Sequence, residues 1–262
     1  MKTAIIYSGQ LRGFRHTYPY IKKYVESSFE NVSNFYFGPI PKEGYKFEDI
    51  VSDSNVQYED DDLSLTEDWL DDVVLNGVST LSAERNGHKT KTMLQHWVMQ
   101  VYNVYRSFQM VPEDFDIVVR MRPCCFPLDP LKKYLTNVDL SNLSDDEIIT
   151  PKFDSYDSMN DRFAIGNYSV MKKYSSVFVT DELKKSGLRG EAALHYVIKK
   201  NGIRNRQIDW SFASVQNDGA VRNIPGGRGH VGSPEFPHFD EFIRTNKWIQ
   251  GYGVYSEGYF DT

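Results

Sequence analysis

The residues Asp116-Ile117-Val118-Val119-Arg120-Met121-Arg122-Pro123 set two arginines two positions apart at the end of an apolar run. Such a run reads as a buried strand. Side chains alternate along a strand, so Ile117, Val119 and Met121 take one face while Asp116, Val118, Arg120 and Arg122 take the other. Residues i and i+2 lie roughly 7 Å apart. That separation suits two guanidinium groups holding one diphosphate, or one phosphate and one carboxylate. Pro123 has no N–H to donate and ends the strand. Ligands of open α/β sheets bind beyond the carboxyl ends of strands, which makes Arg120 and Arg122 a candidate anion site. The competing reading is a surface strand whose arginines pair with neighbouring acids.

Four further sets of residues carry chemistry. Ser8, Gly9, Gln10 and Arg12 follow the apolar run from Thr3 to Tyr7. Gly9 would let the backbone approach a ligand there, and Arg12 would reach a phosphate. Lys91, Gln95 and His96 fall near the start of a long helical pattern, where free N–H groups favour an anion. Asn160 and Asp161 combine an amide and a carboxylate that suit sugar hydroxyls or base chemistry; the alternative is a local turn made by their own side chains. Glu191 follows a glycine at a helix start, where the dipole keeps a carboxylate ionised and fit to act as a general base. The alternative there is plain helix-end electrostatics.

Other sequence signals exclude chemistry. The adjacent Cys124 and Cys125 lack zinc-site spacing, and a disulfide between neighbours is strained. His230 and His238 lack the i, i+4 spacing of a helical metal site. Glu59 to Asp62 reads as a solvated acidic loop. Gly226-Gly227-Arg228-Gly229 lacks the Gly-Lys-Ser/Thr ending of a phosphate-binding loop, and no G-x-S-x-G elbow occurs. We therefore assign no metal ligand.

These residues need elements to position them. Thr3 to Tyr7 reads as a strand, Ser8 to Gly13 as a glycine loop, and Arg15 to Phe29 as a helix with Ile21, Tyr24, Val25 and Phe29 on one stripe. Strand, glycine turn and helix open a nucleotide-binding α/β unit. Asn34 to Phe37 and Val56 to Tyr58 read as strands. Lys89 to Met110 carries Leu94, Val98, Val101, Tyr105 and Phe108 at helical spacing. Phe126 to Tyr134 reads as a loop and short helix, Glu147 to Thr150 as a strand, and Val170 to Phe178 and Glu191 to Lys200 as helices. Ile208 to Val215 reads as one late strand. We expect one domain over residues 1–222, with 223–262 an irregular extension packed on it.

The chain of 262 residues is long enough to bury a core without staples. Its net charge of -6 argues against a nucleic-acid partner. Two cysteines give no disulfide framework and point to a reducing compartment. No signal peptide or apolar run of membrane-spanning length stands out, so a soluble, cytoplasmic protein is expected, in the host cytoplasm if viral.

Four pieces in order carry a resemblance: Ile6-Tyr7-Ser8-Gly9-Gln10-Leu11-Arg12, the helix around Met93-Leu94-Gln95, the strand Asp116 to Pro123, and Asn160-Asp161-Arg162-Phe163-Ala164-Ile165-Gly166. Over about residues 1–200 the chain resembles a family of viral and bacterial glycosyltransferases of GT-A type. The resemblance implies a Rossmann-like GT-A fold, with a central, mostly parallel sheet flanked by helices. It implies a nucleotide-diphosphate sugar donor and a glycan or other hydroxyl acceptor. It puts Ser8 to Arg12 at the nucleotide, Arg120 and Arg122 at the diphosphate, and Asn160-Asp161 near the sugars. Glu191 resembles the acid that activates the acceptor hydroxyl, and Asp161 is the other candidate base. One departure stands out. Similar proteins show Arg-x-Arg-Pro-Asp, and GT-A enzymes hold Mn²⁺ or Mg²⁺ with an Asp-x-Asp motif, whereas Cys124 follows Pro123 here. A thiol is a poor ligand for hard cations. Three alternatives follow: the arginines neutralise the diphosphate without metal, another acid supplies the Mn²⁺ or Mg²⁺ site, or the protein is a binder that has lost transfer activity. A phosphoryl or nucleotidyl transferase would need metal-holding acids that this strand lacks.

Overall fold

The computed structural model describes residues 1–42, 44–60, 91–152, 159–185, 190–215 and 221–222. The residues 223–262 of the expected extension, with His230 and His238, lie outside that set. So does the side chain of Lys91.

The central element is β1 (Thr3–Ser8), buried at every position. It leads through Gly9 and Gly13 into α1 (Phe14–Tyr24), which a 3-10 turn at Glu26–Ser28 follows. The expected helix to Phe29 is therefore shorter. β2 (Val32–Pro39) and β3 (Asn55–Glu59) run parallel to β1. α2 (Lys91–Gln109) precedes β4 (Ile117–Met121), which also lies parallel to β1. β5 (Cys125–Pro127), β6 (Glu147–Pro151) and β7 (Phe163–Asn167) follow, then α3 (Tyr168–Ser175), α4 (Asp181–Lys185) and α5 (Gly190–Lys200), and finally β8 (Arg204–Ile208), β9 (Phe212–Val215) and β10 (Val221–Arg222).

The main sheet has seven strands in the order β3-β2-β1-β4-β7-β6-β8. β7 runs antiparallel to both neighbours, β4 and β6, and the other pairings are parallel. This is a Rossmann-like α/β architecture with a mixed, mostly parallel sheet flanked by helices, as the sequence led one to expect. The alternation of β1 and β4 divides the core. Ala4, Ile6 and Val118 pack with Val98, Val101, Phe108, Met171 and Leu194 on one face. Ile5, Tyr7, Ile117, Val119 and Met121 pack with Phe14, Ile21, Trp210 and Phe212 on the other.

Three elements differ from the sequence reading. Residues 208–215 form two strands, not one. β8 ends in the main sheet at Ile208, and β9 starts at Phe212 in a small sheet of order β10-β9-β5. Trp210 between them is fully buried, and its indole N–H donates to the Asp129 carbonyl at 2.9 Å, which fixes the corner. Phe126 to Tyr134, read as loop and helix, begins with the strand β5 and continues to a 3-10 turn. Phe163-Ala164-Ile165-Gly166-Asn167 is a buried strand, its short alternation hidden by the polar Asn-Asp-Arg before it.

Candidate functional site

The parallel register sets Tyr7 beside Met121, so Ser8 and Arg122 emerge together at one sheet edge. β7 runs the opposite way and pairs Phe163 with Met121. Its leading residues Asn160, Asp161 and Arg162 are therefore delivered to that same edge. The Arg122 amide donates to the Arg162 carbonyl at 2.9 Å. One antiparallel strand thus unites two segments forty residues apart in the chain.

A cavity of about 400 Å³ opens at this edge, lined by Ser8, Gly9, Gln10, Arg12, Arg122, Cys124, Asp161, Arg162 and Glu191. His96, Trp97, Gln100 and Asn103 of α2 supply another wall. The volume is that of an ordinary small-molecule site. Gly9 turns the chain out of β1 with φ of 94°, a conformation glycine adopts at no steric cost. The turn is pinned from below: the Gly9 amide donates to the Phe37 carbonyl at 3.1 Å, and the Tyr36 hydroxyl donates to the Gly9 carbonyl at 2.7 Å. Thr17 of α1 donates to the Pro123 carbonyl at 2.6 Å and ties the first helix to the end of the arginine strand.

Three guanidinium groups, those of Arg12, Arg122 and Arg162, share the cavity with the carboxylates of Asp161 and Glu191. Arg12 is exposed, and Arg122 and Arg162 are half-buried. Asp161 is buried, accepts a hydrogen bond from the Gln100 side-chain amide, and lies 3.9 Å from Arg162 Nε. Burial alone would raise its pKa. Arg122, Arg120 and Arg162, with the Gln100 bond, outweigh that and hold the carboxyl below its usual range. Asp161 is thus a firmly ionised anchor and a weak proton acceptor. The Cys124 thiol is pulled down to about 5, first by the hydrogen bond from Cys125, against burial, and then by Arg122, Arg162 and Arg12. Cys125 moves the other way, since burial and its partner's charge both disfavour a second thiolate.

Not every expected residue reaches the cavity. Arg120 does not face a common ligand with Arg122: it is fully buried beneath the floor, where the alternation of β4 points it into the packed layer under α2 and α3. Asn160 is also fully buried. Its side-chain oxygen accepts from the Arg162 and Phe163 amides at 2.9 and 3.0 Å, which is the local turn weighed from sequence. Gln95 is buried and does not line the cavity. Conversely, Arg162, Gln100, Asn103 and Ser214 line the cavity although their sequence context assigns them no role. His96, Gln100 and Asn103 fall at i, i+4 and i+7, so a polar helix stripe was available as a signal. Nothing in the sequence marked Ser214, which arrives from the small sheet and lies 3.4 Å from Arg162 Nη1.

Among the described residues, no group of three or more His, Cys, Asp or Glu side chains converges as metal ligands do. The cavity offers one thiol, Cys124, and two carboxylates, Asp161 and Glu191, amid three guanidinium groups, and Asp161 is already engaged by Gln100 and Arg162. Mn²⁺ and Mg²⁺ take several oxygen ligands, so the described residues do not fit either ion. Nor is any helix among them long and apolar enough to cross a membrane.

No family model matches the chain, and no curated protein does. Solved structures show distant likeness. Mouse xyloside xylosyltransferase 1 in its apo form aligns at 10% identity and a TM-score of 0.40, over 79% of this chain and 84% of that one. The apo glycosyltransferase GlyE of Streptococcus pneumoniae aligns at 10% identity and a TM-score of 0.45, over 79% of this chain but only 45% of its own. The galactosyltransferase LgtC, in complex with donor and acceptor sugar analogues, aligns at 9% identity and a TM-score of 0.45, over 78% of this chain and 72% of that one.

Proposed function

We propose that this protein is a glycosyltransferase that moves a sugar from a nucleotide-diphosphate donor to a hydroxyl acceptor, with the chemistry in the cavity at the ends of β1 and β4. The observation that carries this reading is the convergence there of three guanidinium groups with two carboxylates. Cationic groups fixed where a diphosphate leaving group gathers charge stabilise the transition state, the effect that most often dominates catalysis. Arg122 and Arg162 hold the diphosphate, and Arg12 closes over it from the first turn. Gly9 lets the nucleotide lie against the backbone, flanked by Ser8 and Gln10.

Glu191 is the general base. It lines the cavity in the first turn of α5. Asp161 is held ionised by its arginines, and a carboxylate of lowered pKa accepts a proton less readily. Its role is to orient Arg122 and Arg162 and to receive hydroxyls of the bound sugar. The guanidinium groups supply the positive charge at the diphosphate, and no step requires a metal.

A second reading, a nucleotide-sugar binder without transfer, is favoured by one observation: a thiol, Cys124, and not an acid follows Pro123 at the end of the arginine strand and lines the cavity. Incubation with a panel of uridine, guanosine, adenosine and cytidine nucleotide sugars, read by nucleotide release with and without Mn²⁺, separates the two. Transfer or slow hydrolysis of one donor supports the enzyme. Binding with no release by any donor supports the binder.

A further inference from the structure

Arg120 stands behind the cleft floor, and the proposed chemistry leaves it without a task. It is fully buried. Its Nε, Nη1 and Nη2 make no hydrogen bond among the described residues. Around it are Val101, Val104, Val177 and Leu194, a layer that an apolar side chain would fill without the cost of burying a charge. Asp161 lies between Arg120 and the cleft. It lines the cleft on one side and, on the other, a rear cavity of about 20 Å³ that it shares with Arg120. A space of that size admits one water, so the two charges attract across a narrow gap without a direct hydrogen bond.

We propose that Arg120 is a positioning residue: its charge holds the Asp161 carboxylate back from the cleft arginines and so leaves Arg122 to the donor diphosphate. This rests on the reading of the cleft as a diphosphate site. Asp161 Oδ1 stops 3.9 Å from Arg162 Nε, short of the roughly 2.7–2.9 Å of a charge-assisted bond. Its other oxygen accepts from the Gln100 amide. A carboxylate among guanidinium groups closes onto one of them unless another force opposes it. The groups that act on Asp161 or share its cleft come from several elements. β4 contributes Arg120 and Arg122, the segment before β7 Arg162, α3 Tyr174 and α5 Glu191, while Arg12, His96 and Cys124 lie along the cleft. Of these, Arg120 and Tyr174 alone bound the rear cavity. Burial raises the Tyr174 pKa and keeps it neutral, so Arg120 supplies the rearward charge. The attraction is mutual, since each of Arg120 and Asp161 favours the charged form of the other. Without Arg120 the carboxylate would close onto Arg162 and Arg122 and compete with phosphate oxygens for the same N–H donors.

The test is a double-mutant cycle on the full chain, with inorganic pyrophosphate as the probe and calorimetry as the readout. Arg120→Met keeps most of the length and removes the charge. It should weaken pyrophosphate binding about tenfold, whereas the same change on an Asp161→Asn background, which has no carboxylate to release, should weaken it less than about threefold. In the ligand-free protein the Asp161 carboxyl carbon, identified in the NMR spectrum by its loss in Asp161→Asn, should titrate at higher pH in Arg120→Met than in the unaltered chain. An Arg120 of purely structural role would weaken binding equally in both backgrounds. That result, or an unmoved Asp161 titration, would overturn the proposal and leave the diphosphate reading intact. Pyrophosphate failing to bind the unaltered protein would instead overturn that reading, and this proposal with it. Should Arg120→Met fail to fold, Arg120→Gln takes its place in the same cycle.

Discussion

Replacing Asp161 with Asn isolates the electrostatics of the site. The residue is 9% exposed, so solvent screens its charge poorly. It lies among Arg120, Arg122 and Arg162, which hold its carboxyl ionised against the cost of burial. Asn keeps the shape, and its oxygen still accepts from Gln100, so the change removes little but the charge. Taking one partner from a buried ion cluster costs about 3–5 kcal/mol. Arg122 and Arg162 retain some water contact, which places the loss near the lower end, about 3 kcal/mol, or roughly 6–12 °C in Tm for a chain of this size. The sign with pH is fixed. A carboxylate whose folded pKa is depressed contributes its full stability above the unfolded value of about 3.9 and loses it as pH falls through the folded value. The gap between the two proteins should therefore hold constant from neutral pH down to about pH 5 and shrink below about pH 4. Urea unfolding across that range measures it. A gap under about 0.5 kcal/mol at neutral pH, the size expected of an inconsequential surface change, would refute the reasoning, as would a gap indifferent to acid.

Other expectations follow from the same geometry. Glu191→Gln should leave nucleotide-sugar affinity unchanged by calorimetry while turnover falls by about 10²–10⁴-fold, the usual loss of a general base; equal losses in both would move Glu191 into donor binding. Cys124 should reach its full iodoacetamide reactivity at a lower pH than an ordinary thiol, because the Cys125 hydrogen bond and the charges of Arg122, Arg162 and Arg12 lower its pKa; a rate climbing steadily toward pH 8.5 would mean an ordinary thiol. Gly38→Ala should destabilise by about 1–3 kcal/mol in urea. The new Cβ would come within 2.5 Å of the Gly9 carbonyl oxygen and nearer still to the Tyr36 hydroxyl, two groups that hold the first turn. An unaltered midpoint would show that the turn tolerates the displacement.

The sheet's parallel half was legible because its strands are short apolar runs ended by Gly or Pro, as at Tyr7-Ser8-Gly9 and Met121-Arg122-Pro123. β7 was not, because nothing in Phe163 to Asn167 states that it runs antiparallel beside β4. That pairing is a long-range fact, and it is what carries Asp161 and Arg162 to Arg122. The alternation rule puts Arg120 and Arg122 on one face, yet they meet different surroundings. Arg122 lies beyond the last paired residue, where the sheet edge opens, whereas Arg120 is still covered by α2 and α3. Strand spacing tells which way a side chain points and not how deep it lies. Asn160 shows a related limit. The residue types of a sugar-binding amide and of a turn are identical, and only its bonds to the Arg162 and Phe163 amides distinguish them. The break at Trp210 was hidden for the opposite reason, since its buried ring made residues 208–215 look like one continuous strand.

The central claim is that Arg122 grips a diphosphate in the cleft, and calorimetric titration with UDP, GDP and ADP addresses it most directly. One of the three should bind without added metal, and Arg122→Ala should weaken it by about 10–150-fold, the worth of a charge-assisted hydrogen bond of about 1.5–3 kcal/mol. Failure of all three to bind the unaltered protein, or identical affinity in the variant, would contradict the account.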